Sequence, residues 1–228
     1  MKISVIIPAY NERATIAELL ARVQAVPLEK EILVVDDASG DGTRELLGTL
    51  AVPPVRLLLH ERNRGKGAAI RTAVPHVTGE IVIIQDADLE YDPGDYPRLI
   101  EPIVRGAADA VYGSRFLERG HRASSRRHYL INRGLTCLSN LFTGLKLTDM
   151  ETCYKAFRAD LLRGLTLVSE GFDIEPELTA RAARRGARIV EVPISYRGRS
   201  AREGKKIGWR DGVRTLRAIV RFGLLARD

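Results

Sequence analysis

Carboxylates recur at every second position in the segment QDADLEYD, which directly follows the apolar run IVII. They belong to Asp86, Asp88, Glu90 and Asp92. On an extended segment, side chains two residues apart point to the same face, so the first three could converge on one point. Neighbouring carboxylates repel one another unless a cation lies between them or one stays protonated. Divalent ions such as Mg²⁺ and Mn²⁺ take oxygen ligands and bridge substrate phosphates, so the segment predicts a metal–diphosphate site.

The alternative for this segment is a solvated acidic turn that leads into the stretch DPGD. Such a turn accounts adequately for Asp92 and Asp95. It accounts less well for Asp86 and Asp88, because these two residues stand at the end of an apolar run that is predicted to be a buried strand.

A second acidic group follows the apolar run EILVV. Asp36 and Asp37 could accept hydrogen bonds from a base N–H or from ribose hydroxyls. The alternative is a helix N-terminus in which Ser39 or Asp41 caps the helix after Gly42, and for Asp41 both interpretations stay open. The stretch lacks the G-x-G-x-x-G pattern of dinucleotide-binding folds, which argues against an NAD enzyme.

Basic residues supply candidate phosphate ligands. The stretch NRGKGAAIRTA places Arg64 and Lys66 at a helix start, where backbone N–H groups favour phosphate. It is not a Walker A motif, so on its own it also fits a solvated basic turn. Further candidates are Arg115 in GSR, Arg126 and Arg127 in SSRRHY, and Lys205 and Lys206 in GKK. For the last four, an ordinary basic surface is the alternative.

The elements that must position these residues alternate between strand and helix. Strands are predicted at 2–8, 31–37, 55–60, 80–88 and 109–115, and helices at 12–26, 41–51, 65–77 and 95–105. Uniformly apolar strands are covered on both faces, as in a doubly wound α/β sheet that is mostly parallel with helices on both sides. Ligands bind beyond the carboxyl ends of such strands, and a polar cluster follows each predicted strand. We therefore expect the five clusters to form one site.

The second half of the chain is less regular. It predicts helices at 127–145 and 173–185, strands at 152–157 and 187–197, and a basic loop at 198–208. Because no Pro/Gly/Ser linker separates the halves, we expect a single domain across the whole chain, with the later elements completing the site.

The last helix carries arginines at i, i+4, i+7 and i+11, which fall in one narrow arc. Its apolar residues lie mostly elsewhere, so we expect the apolar side to face the core. Arginines near an anionic lipid surface each add about 1 kcal/mol of attraction, so they could face a membrane. An ordinary amphipathic helix packed on the core is the alternative. The residues concerned are Arg210, Arg214, Arg217 and Arg221, and Val213, Leu216, Ile219, Val220 and Leu224.

Composition bounds the partners and the compartment. The chain of 228 residues has a net charge of +7 and a pI near 9.6, which favours an anionic partner: nucleic acid, an anionic membrane or phosphorylated small molecules. Basic residues interleaved with stacking aromatics are lacking, which disfavours nucleic acid. No signal peptide or apolar run of about 20 residues occurs, so we expect a cytoplasmic protein. Cys137 and Cys153 have no metal or redox spacing, and we expect two thiols.

The motifs taken together resemble the family 2 glycosyltransferases with the GT-A fold. They are VIIPAYNE, VVDDASGDGT, QDADLEYDP, GSR and TDMETCYKAF. The run GFDIEPELTARAARRG and the later run EVPISYRGRSAREGKKIGWRDG are similar to the dolichol-phosphate mannosyltransferase branch and its bacterial polyprenyl-phosphate relatives. The resemblance extends from residue 3 to about residue 221.

The resemblance implies a role for each group of residues. Catalytic residues would be Asp86, Asp88, Arg115 and Lys205. The metal, Mg²⁺ or Mn²⁺, would be held by Asp86, Asp88 and Glu90; the mannosyltransferases commonly carry glutamine at this third position, and the added charge leaves the metal preference open. The nucleotide sugar would contact Pro8, Tyr10, Asn11, Glu12, Asp36, Asp37, Lys66 and Ala87. The acceptor phosphate would contact Arg115, Arg126, Arg127, Lys205 and Lys206, with the choice between Arg126 and Arg127 open.

The implied activity is the inverting transfer of a hexose from a nucleotide diphosphate sugar to a polyprenyl or dolichyl phosphate. Mannose from GDP-mannose is the first expectation and glucose from UDP-glucose the second. Residues 1–115 would bind the nucleotide sugar, and residues 116–228 the acceptor. The protein would lie peripherally on the cytoplasmic face of a membrane, where a separate membrane protein could recruit it. The alternatives are a glycosyltransferase for a glycan or small-molecule hydroxyl and, more remotely, a non-catalytic nucleic-acid-binding module.

Charge distinguishes the first two activities. A hydroxyl acceptor needs a general base to remove its proton, whereas a lipid phosphate is already anionic and needs cations to approach a diphosphate.

Two acids in the motifs, Asp149 and Glu177, could orient the sugar or fix Lys155 and Arg181, and a buried ion pair is the alternative for both.

Overall fold

A computed structural model describes residues 1–117, 126–199 and 209–225 of the chain, and only the backbone at 126–128, 209–211 and 225. The strands are β1 Ile3–Ala9, β2 Lys30–Asp36, β3 Val55–Leu59, β4 Ile81–Ile84, β5 Ala110–Ser114, β6 Lys155–Arg158 and β7 Ile189–Pro193. The α-helices are α1 Ile16–Ala25, α2 Thr43–Leu50, α3 Lys66–Ala73, α4 Tyr96–Val104, α5 Arg126–Thr143, α6 Ala159–Gly164, α7 Ile174–Arg184 and α8 Trp209–Val220. Short 3₁₀ turns occupy Val74–His76 and Pro93–Asp95, and a π turn extends α8 over Arg221–Leu225.

The strands form one sheet in the order β3-β2-β1-β4-β6-β5-β7. Strand β6 runs antiparallel to both of its neighbours, and every other pair is parallel. This confirms the predicted single α/β domain with a mostly parallel sheet. The carboxyl ends of β1 to β5 therefore lie at the same edge of the sheet, which is where ligands bind in such folds.

Helices cover both faces of this sheet. Successive side chains of a strand point to opposite faces, so Val5 and Ile7 pack in one apolar cluster with α1 and α4, while Ile6 packs in the other with α3 and α7. All three side chains are fully buried. Burial on both faces explains why the strand sequences are apolar without alternation, as predicted.

The acidic segment after β4 departs from the predicted geometry. Strand β4 ends at Ile84, whereas the sequence predicted a strand to residue 88. Beyond it, Asp88 Oδ1 accepts a hydrogen bond from the backbone N–H of Glu90 at 3.0 Å, which closes a turn. The strand is therefore shorter than predicted, and the segment that carries Asp86, Asp88 and Glu90 is not extended throughout, because the side chain of Asp88 folds the chain locally.

The outer face of α8 also differs from the prediction. The helix packs against α5 and α7 through a narrow set of side chains, namely Thr215, Ala218, Ile219 and, in the π turn, Phe222. The other apolar residues point outward; Leu216 is 43% exposed and Leu224 59%. The expectation that the apolar side faces the core was right for Ile219 and wrong for Val213, Leu216, Val220 and Leu224. No helix in the described ranges has both the length and the apolar character needed to cross a bilayer.

Candidate functional site

A cavity of about 460 Å³ opens at the carboxyl edge of the sheet. Residues from the loops after all five leading strands line it, which confirms that the five polar clusters form one site. By strand of origin they are Pro8, Ala9, Tyr10 and Glu12 after β1; Asp37 after β2; Asn63, Gly65 and Lys66 after β3; Asp86, Ala87, Asp88 and Glu90 after β4; and Arg115 and Phe116 after β5.

Two of the predicted nucleotide-sugar residues do not line this cavity. Asp36 is fully buried, and its Oδ2 accepts a hydrogen bond from Arg44 Nε at 2.6 Å, so its charge is used inside the fold. Asn11 has a φ of 51°, and its Oδ1 accepts a hydrogen bond from the backbone N–H of Gly40 at 2.9 Å, which ties the loops after β1 and β2 together.

The structure describes no side chain for four of the predicted acceptor-phosphate residues. Lys205 and Lys206 fall in the range 200–208, and at Arg126 and Arg127 only the backbone is described. Their proposed contact with a phosphate therefore stays a prediction.

The two acids of the D-x-D pair are each held by a different cation. Asp86 Oδ1 lies 2.6 Å from Lys66 Nζ, and Asp88 Oδ2 lies 2.6 Å from Arg199 Nη2. Both cations come from elsewhere in the chain, Lys66 from the start of α3 and Arg199 from the loop after β7. The pair is therefore neutralised by long-range contacts rather than by its own segment.

Arg199 lies among three carboxylates. Besides Asp88, its Nη1 and Nη2 donate to Glu12 at 3.1 Å and 3.2 Å. Its Nε lies 3.6 Å from Glu90 Oε1, which also accepts a hydrogen bond from the backbone N–H of Arg199 at 2.8 Å. Tyr196 donates to the other oxygen of Glu90 at 2.9 Å. One guanidinium thus occupies the point where the carboxylates meet.

The electrostatics of this point favour a cation. Burial, followed by the charges of Asp86 and Glu90, raises the pKa of Asp88 to about 7, and the charge of Arg199 counteracts this shift. In the described part of the chain, no group of three or more His, Cys, Asp or Glu side chains has a geometry that could hold a metal ion as it stands. The donor set is nevertheless all oxygen and already surrounds one positive charge, so these residues fit a divalent cation chemically.

The acidic cluster after β2, which contains Asp37 and Asp41, is arranged differently. Asp37 Oδ1 accepts a hydrogen bond from the backbone N–H of Arg64 at 2.8 Å and lies 2.7 Å from His60 Nδ1, while its Oδ2 accepts from the N–H of Gly65 at 2.7 Å. These three partners hold the turn that precedes α3. Asp37 therefore lines the cavity while its oxygens serve the scaffold. Asp41 lies outside the cavity lining and accepts from the N–H of Thr43 at 3.0 Å at the start of α2, where the N-cap position itself is Gly42.

The start of α3 depends on two glycines. Gly65 has a φ of +89°, and a Cβ there would collide with the backbone carbonyl of Glu170. At Gly67 a Cβ would lie 2.5 Å from the carbonyl oxygen of Ser169. The close approach buries Lys66, whose Nζ also lies 3.1 Å from Glu175 Oε1. Burial works against the Lys66 charge, but the carboxylates of Asp86 and Glu175 help to raise its pKa well above the usual range.

Arg115 is fixed by a two-pronged ion pair. Its Nε and Nη2 donate to the two oxygens of Asp149 at 2.7 Å each, and Asp149 is fully buried. Such a bidentate pair holds the guanidinium plane in one orientation. The prediction that Asp149 fixes Lys155 was wrong, because Lys155 pairs with Glu175 instead. Glu177 pairs with Arg181 at 2.8 Å, so for both acids the buried ion pair is the observed role.

Several cavity residues were absent from the sequence-based site. They are Asn132, Glu151, Cys153, Phe172, Tyr196, Arg199 and Arg214. Arg199 lay within the basic loop noted from the sequence, but its spacing does not separate it from Arg197. Glu151 and Cys153 lay within TDMETCYKAF, a motif that was recognised without assigning these two residues a role.

Comparisons with known proteins show the family of the chain. The family model described as Glycosyl transferase family 2 matches residues 4–166. The chain is 34% identical to an undecaprenyl-phosphate mannosyltransferase of Micrococcus luteus, over 100% of this chain and 96% of that protein. It is 32% identical to a dolichol-phosphate mannosyltransferase of Pyrococcus furiosus over 91% of this chain, but it spans only 61% of that relative's length.

A similar fold occurs in solved structures. The chain aligns with glucosyl-3-phosphoglycerate synthase from Mycobacterium tuberculosis, in complex with Mn²⁺, UDP and phosphoglyceric acid, with a TM-score of 0.76. The alignment covers 100% of this chain and 80% of that chain at 22% identity, so it concerns the GT-A fold alone. Because the family model spans most of the sequence and the Micrococcus luteus relative matches along its whole length, the chain belongs to glycosyl transferase family 2.

Proposed function

We propose that the protein is an inverting glycosyltransferase that moves a hexose from a nucleotide diphosphate sugar to a polyprenyl phosphate. The observation that carries this proposal is the meeting of two kinds of charge in one cavity, the carboxylates of Asp86, Asp88 and Glu90 and the guanidinium of Arg115. The first suit a cation with a diphosphate, and the second suits another phosphate. The mannosyltransferases of Micrococcus luteus and Pyrococcus furiosus support the same substrate classes.

The donor would bind along the loops after β1 to β4. Asp86 and Asp88, together with Glu90, would hold Mg²⁺ or Mn²⁺. When bound there, the ion would neutralise the charge that develops on the leaving nucleoside diphosphate. The nucleotide would contact the cavity-lining members of the predicted set, which are Pro8, Tyr10, Glu12, Asp37, Lys66 and Ala87. In this proposal the donor would contact residues 1–115.

The acceptor phosphate would bind to Arg115. Asp149 holds this guanidinium in place, so a phosphate meets it without reorganisation. The acceptor oxygen is already anionic and attacks the anomeric carbon from the face opposite the leaving group, which needs no general base. Residues 116–228 would complete the acceptor side, with Lys205 and one of Arg126 and Arg127 as further phosphate ligands.

A transfer assay tests the proposal directly. GDP-mannose and UDP-glucose are each offered with a short polyprenyl phosphate and either Mn²⁺ or Mg²⁺, and the glycolipid product is measured. We expect transfer from one donor, with mannose as the first expectation. Transfer to a glycan or small-molecule hydroxyl, with none to the lipid phosphate, would overturn the acceptor assignment.

A peripheral contact with an anionic membrane is part of the same proposal. The outer face of α8 combines Leu216 and Leu224, which are well exposed, with the exposed Arg217 and Arg221. Exposed apolar side chains next to arginines are typical of helices that lie on a lipid surface. Arg214 of the same helix lines the cavity, so this face lies next to the site that would take a lipid phosphate.

Vesicle sedimentation tests this contact. The wild-type protein is expected to pellet with vesicles that contain anionic lipid and to stay in solution with neutral ones. Replacing Leu216 and Leu224 by serine should weaken the binding. Leu59, an exposed residue of the distant edge strand β3, gives the matched control Leu59→Ser. Equal binding of both variants would contradict the proposed face.

A further inference from the structure

Glu151 is a carboxylate of the cavity wall with no hydrogen bond to any residue in the described part of the chain. It lies in the loop between Asp149 and the start of β6 and lines the cavity. Its Oε1 is shielded from solvent and has no hydrogen-bond partner among the residues that the structure describes. A buried polar atom without a partner is rare in folded proteins, and each such atom calls for an explanation.

The surroundings of Glu151 favour a partner that donates a hydrogen bond. Burial, as the largest cause, and the neighbouring carboxylates of Glu175 and Asp149 raise the pKa of Glu151 to about 7, against the charges of Lys155 and Arg115. The two neighbouring carboxylates already form ion pairs, Asp149 with Arg115 and Glu175 with Lys155. Glu175 Oε1 also lacks a hydrogen bond but lies 3.1 Å from Lys66 Nζ, so among the described residues Glu151 is the carboxylate of this group without an ion-pair partner and can accept a hydrogen bond from a group in the cavity.

Glu151 lines the same cavity as the residues of both proposed phosphate sites, Asp86 on the donor side and Arg115 on the acceptor side. Its charge interacts with Arg115, the proposed acceptor-phosphate ligand. Cys153, two residues further along the same wall, interacts with Lys66 and Asp86 on the donor side. The loop therefore bridges the part of the cavity for the donor diphosphate and the part for the acceptor phosphate. The transferred sugar must occupy that interval, because it is bonded to one phosphate before the reaction and to the other afterwards.

We propose that Glu151 is a specificity-determining residue that accepts a hydrogen bond from one hydroxyl of the transferred hexose. The inference rests on the proposed function, since it assumes a nucleotide sugar in this cavity. The ring of Phe172 lines the same cavity, with Lys66 Nζ 5.9 Å from its centroid, and adds an apolar surface for a sugar. A hydroxyl-bearing neutral hexose fits a wall that offers one open carboxylate and one aromatic ring.

Deoxy donors test the inference. The specificity constant kcat/KM is measured for the preferred nucleotide sugar and for its 2-, 3-, 4- and 6-deoxy analogues, with the wild-type protein and with Glu151→Ala. We expect one analogue to react at least about tenfold more slowly with the wild type, because a site built for a hydroxyl rejects a sugar that lacks it. With Glu151→Ala that difference should vanish, while the differences for the other analogues remain.

Binding measurements separate this inference from the proposed function. Calorimetry compares the affinity of the free nucleoside diphosphate with that of the nucleotide sugar, each in the presence of Mn²⁺. Glu151→Ala should leave the affinity for the nucleoside diphosphate unchanged and reduce the gain in affinity that the attached sugar provides. If the wild type binds the nucleotide sugar but transfers nothing to polyprenyl phosphate, this gain still tests Glu151, and only the acceptor assignment fails. If no nucleotide sugar binds, the proposed function and the inference both fail.

Two further variants guard against a loss of folding. Glu151→Gln keeps the shape and one acceptor oxygen, so it should retain part of the discrimination. Glu170→Ala removes an exposed carboxylate from the segment next to α3 and should behave as wild type. Thermal unfolding checks that each variant is folded. Unchanged discrimination among all the deoxy donors in both Glu151 variants would overturn the inference.

Discussion

Two acidic clusters lie at the same edge of the sheet, and their partners are of opposite kinds. Asp37, after β2, is held by two backbone N–H groups and a buried histidine, all in the loop that enters α3. Asp88, after β4, is held by the side chain of Arg199, which lies 111 residues away in the sequence. Backbone donors are fixed by the fold, whereas a side-chain cation can leave when another cation arrives. The first cluster therefore belongs to the scaffold, and the second is where a ligand can exchange.

Removing Asp88 should have the largest effect on activity. We expect Asp88→Ala to lower sugar transfer by about 10²–10³-fold, the range seen when one stabilising group is lost from a reaction centre. Stability should change little, because Arg199 keeps Glu12 and Glu90 as partners. The glycolipid assay and urea unfolding measure the two effects. Asp92→Ala is the matched control, since the Asp92 side chain accepts from the N–H of Gly94 in the turn that follows and does not line the cavity. Full activity of Asp88→Ala would refute the metal assignment.

Removing Asp37 should chiefly affect stability. Asp37→Ala leaves the backbone N–H groups of Arg64 and Gly65 and the buried His60 without their acceptor, and hydrogen bonds to a charged group are worth about 1.5–3 kcal/mol each. We expect a loss of about 3 kcal/mol in the free energy of unfolding, measured in urea. Asp41→Ala, which removes the acceptor of the N–H and hydroxyl of Thr43 and of the N–H of Arg13, should cost about 1 kcal/mol. If Asp37→Ala is as stable as the wild type but no longer binds nucleotide, Asp37 is a ligand-binding residue like Asp88 rather than part of the scaffold.

The contacts of Arg199 predict competition with a divalent ion. Arg199→Ala should bind Mn²⁺ about tenfold more tightly in the absence of nucleotide, because the same carboxylates no longer pair with a guanidinium; a tenfold change corresponds to about 1.4 kcal/mol. Calorimetric titration with Mn²⁺ measures this affinity. Arg197→Ala, in the same loop and exposed, should leave it unchanged. Weaker binding by Arg199→Ala would mean that Arg199 assists the ion rather than occupying its place.

The raised pKa of Asp88 predicts a smaller, pH-dependent effect. With a pKa of about 7, Asp88 is protonated below neutral pH, so a cation must displace a proton. We expect the Mn²⁺ affinity to fall by at most about tenfold between pH 7 and pH 6, and to level off above pH 8. Folding raises this pKa, so ionisation of Asp88 costs stability as the pH rises through 7, and Mn²⁺ should offset that cost. An affinity that does not vary between pH 6 and pH 8 would contradict the assignment.

The sequence was informative about the site where local rules apply. Apolar runs followed by polar clusters predicted five strands and the edge that gathers their loops, and the cavity is lined by residues from each of those loops. The same reasoning failed at Asp86 and Asp88, because it extended β4 into a segment that Asp88 itself turns. Local periodicity cannot reveal a turn that one side chain creates by bonding to the backbone two residues later.

Residues delivered over long distances were not predictable in the same way. Arg199 is one of several basic residues in the predicted loop 198–208, and only the path of the loop after β7 brings it to Asp88. Asp36 and Asp37 are adjacent, yet one pairs with Arg44 inside the fold and the other lines the cavity. Both side chains are buried, and they differ in direction at the end of β2, one toward Arg44 and the other toward the cavity, which the sequence alone did not resolve.

The reversed direction of β6 has a consequence for how this protein can vary. Because Lys155 at the start of β6 pairs with Ile84 at the end of β4, the loop that enters β6, rather than the one that leaves it, reaches the ligand edge. Glu151 and Cys153 sit in that entering loop. The chain thus has a further loop that reaches the cavity and is independent of the five loops after the leading strands. Substitutions there could retune which sugar is accepted while the diphosphate and lipid-phosphate contacts stay as they are.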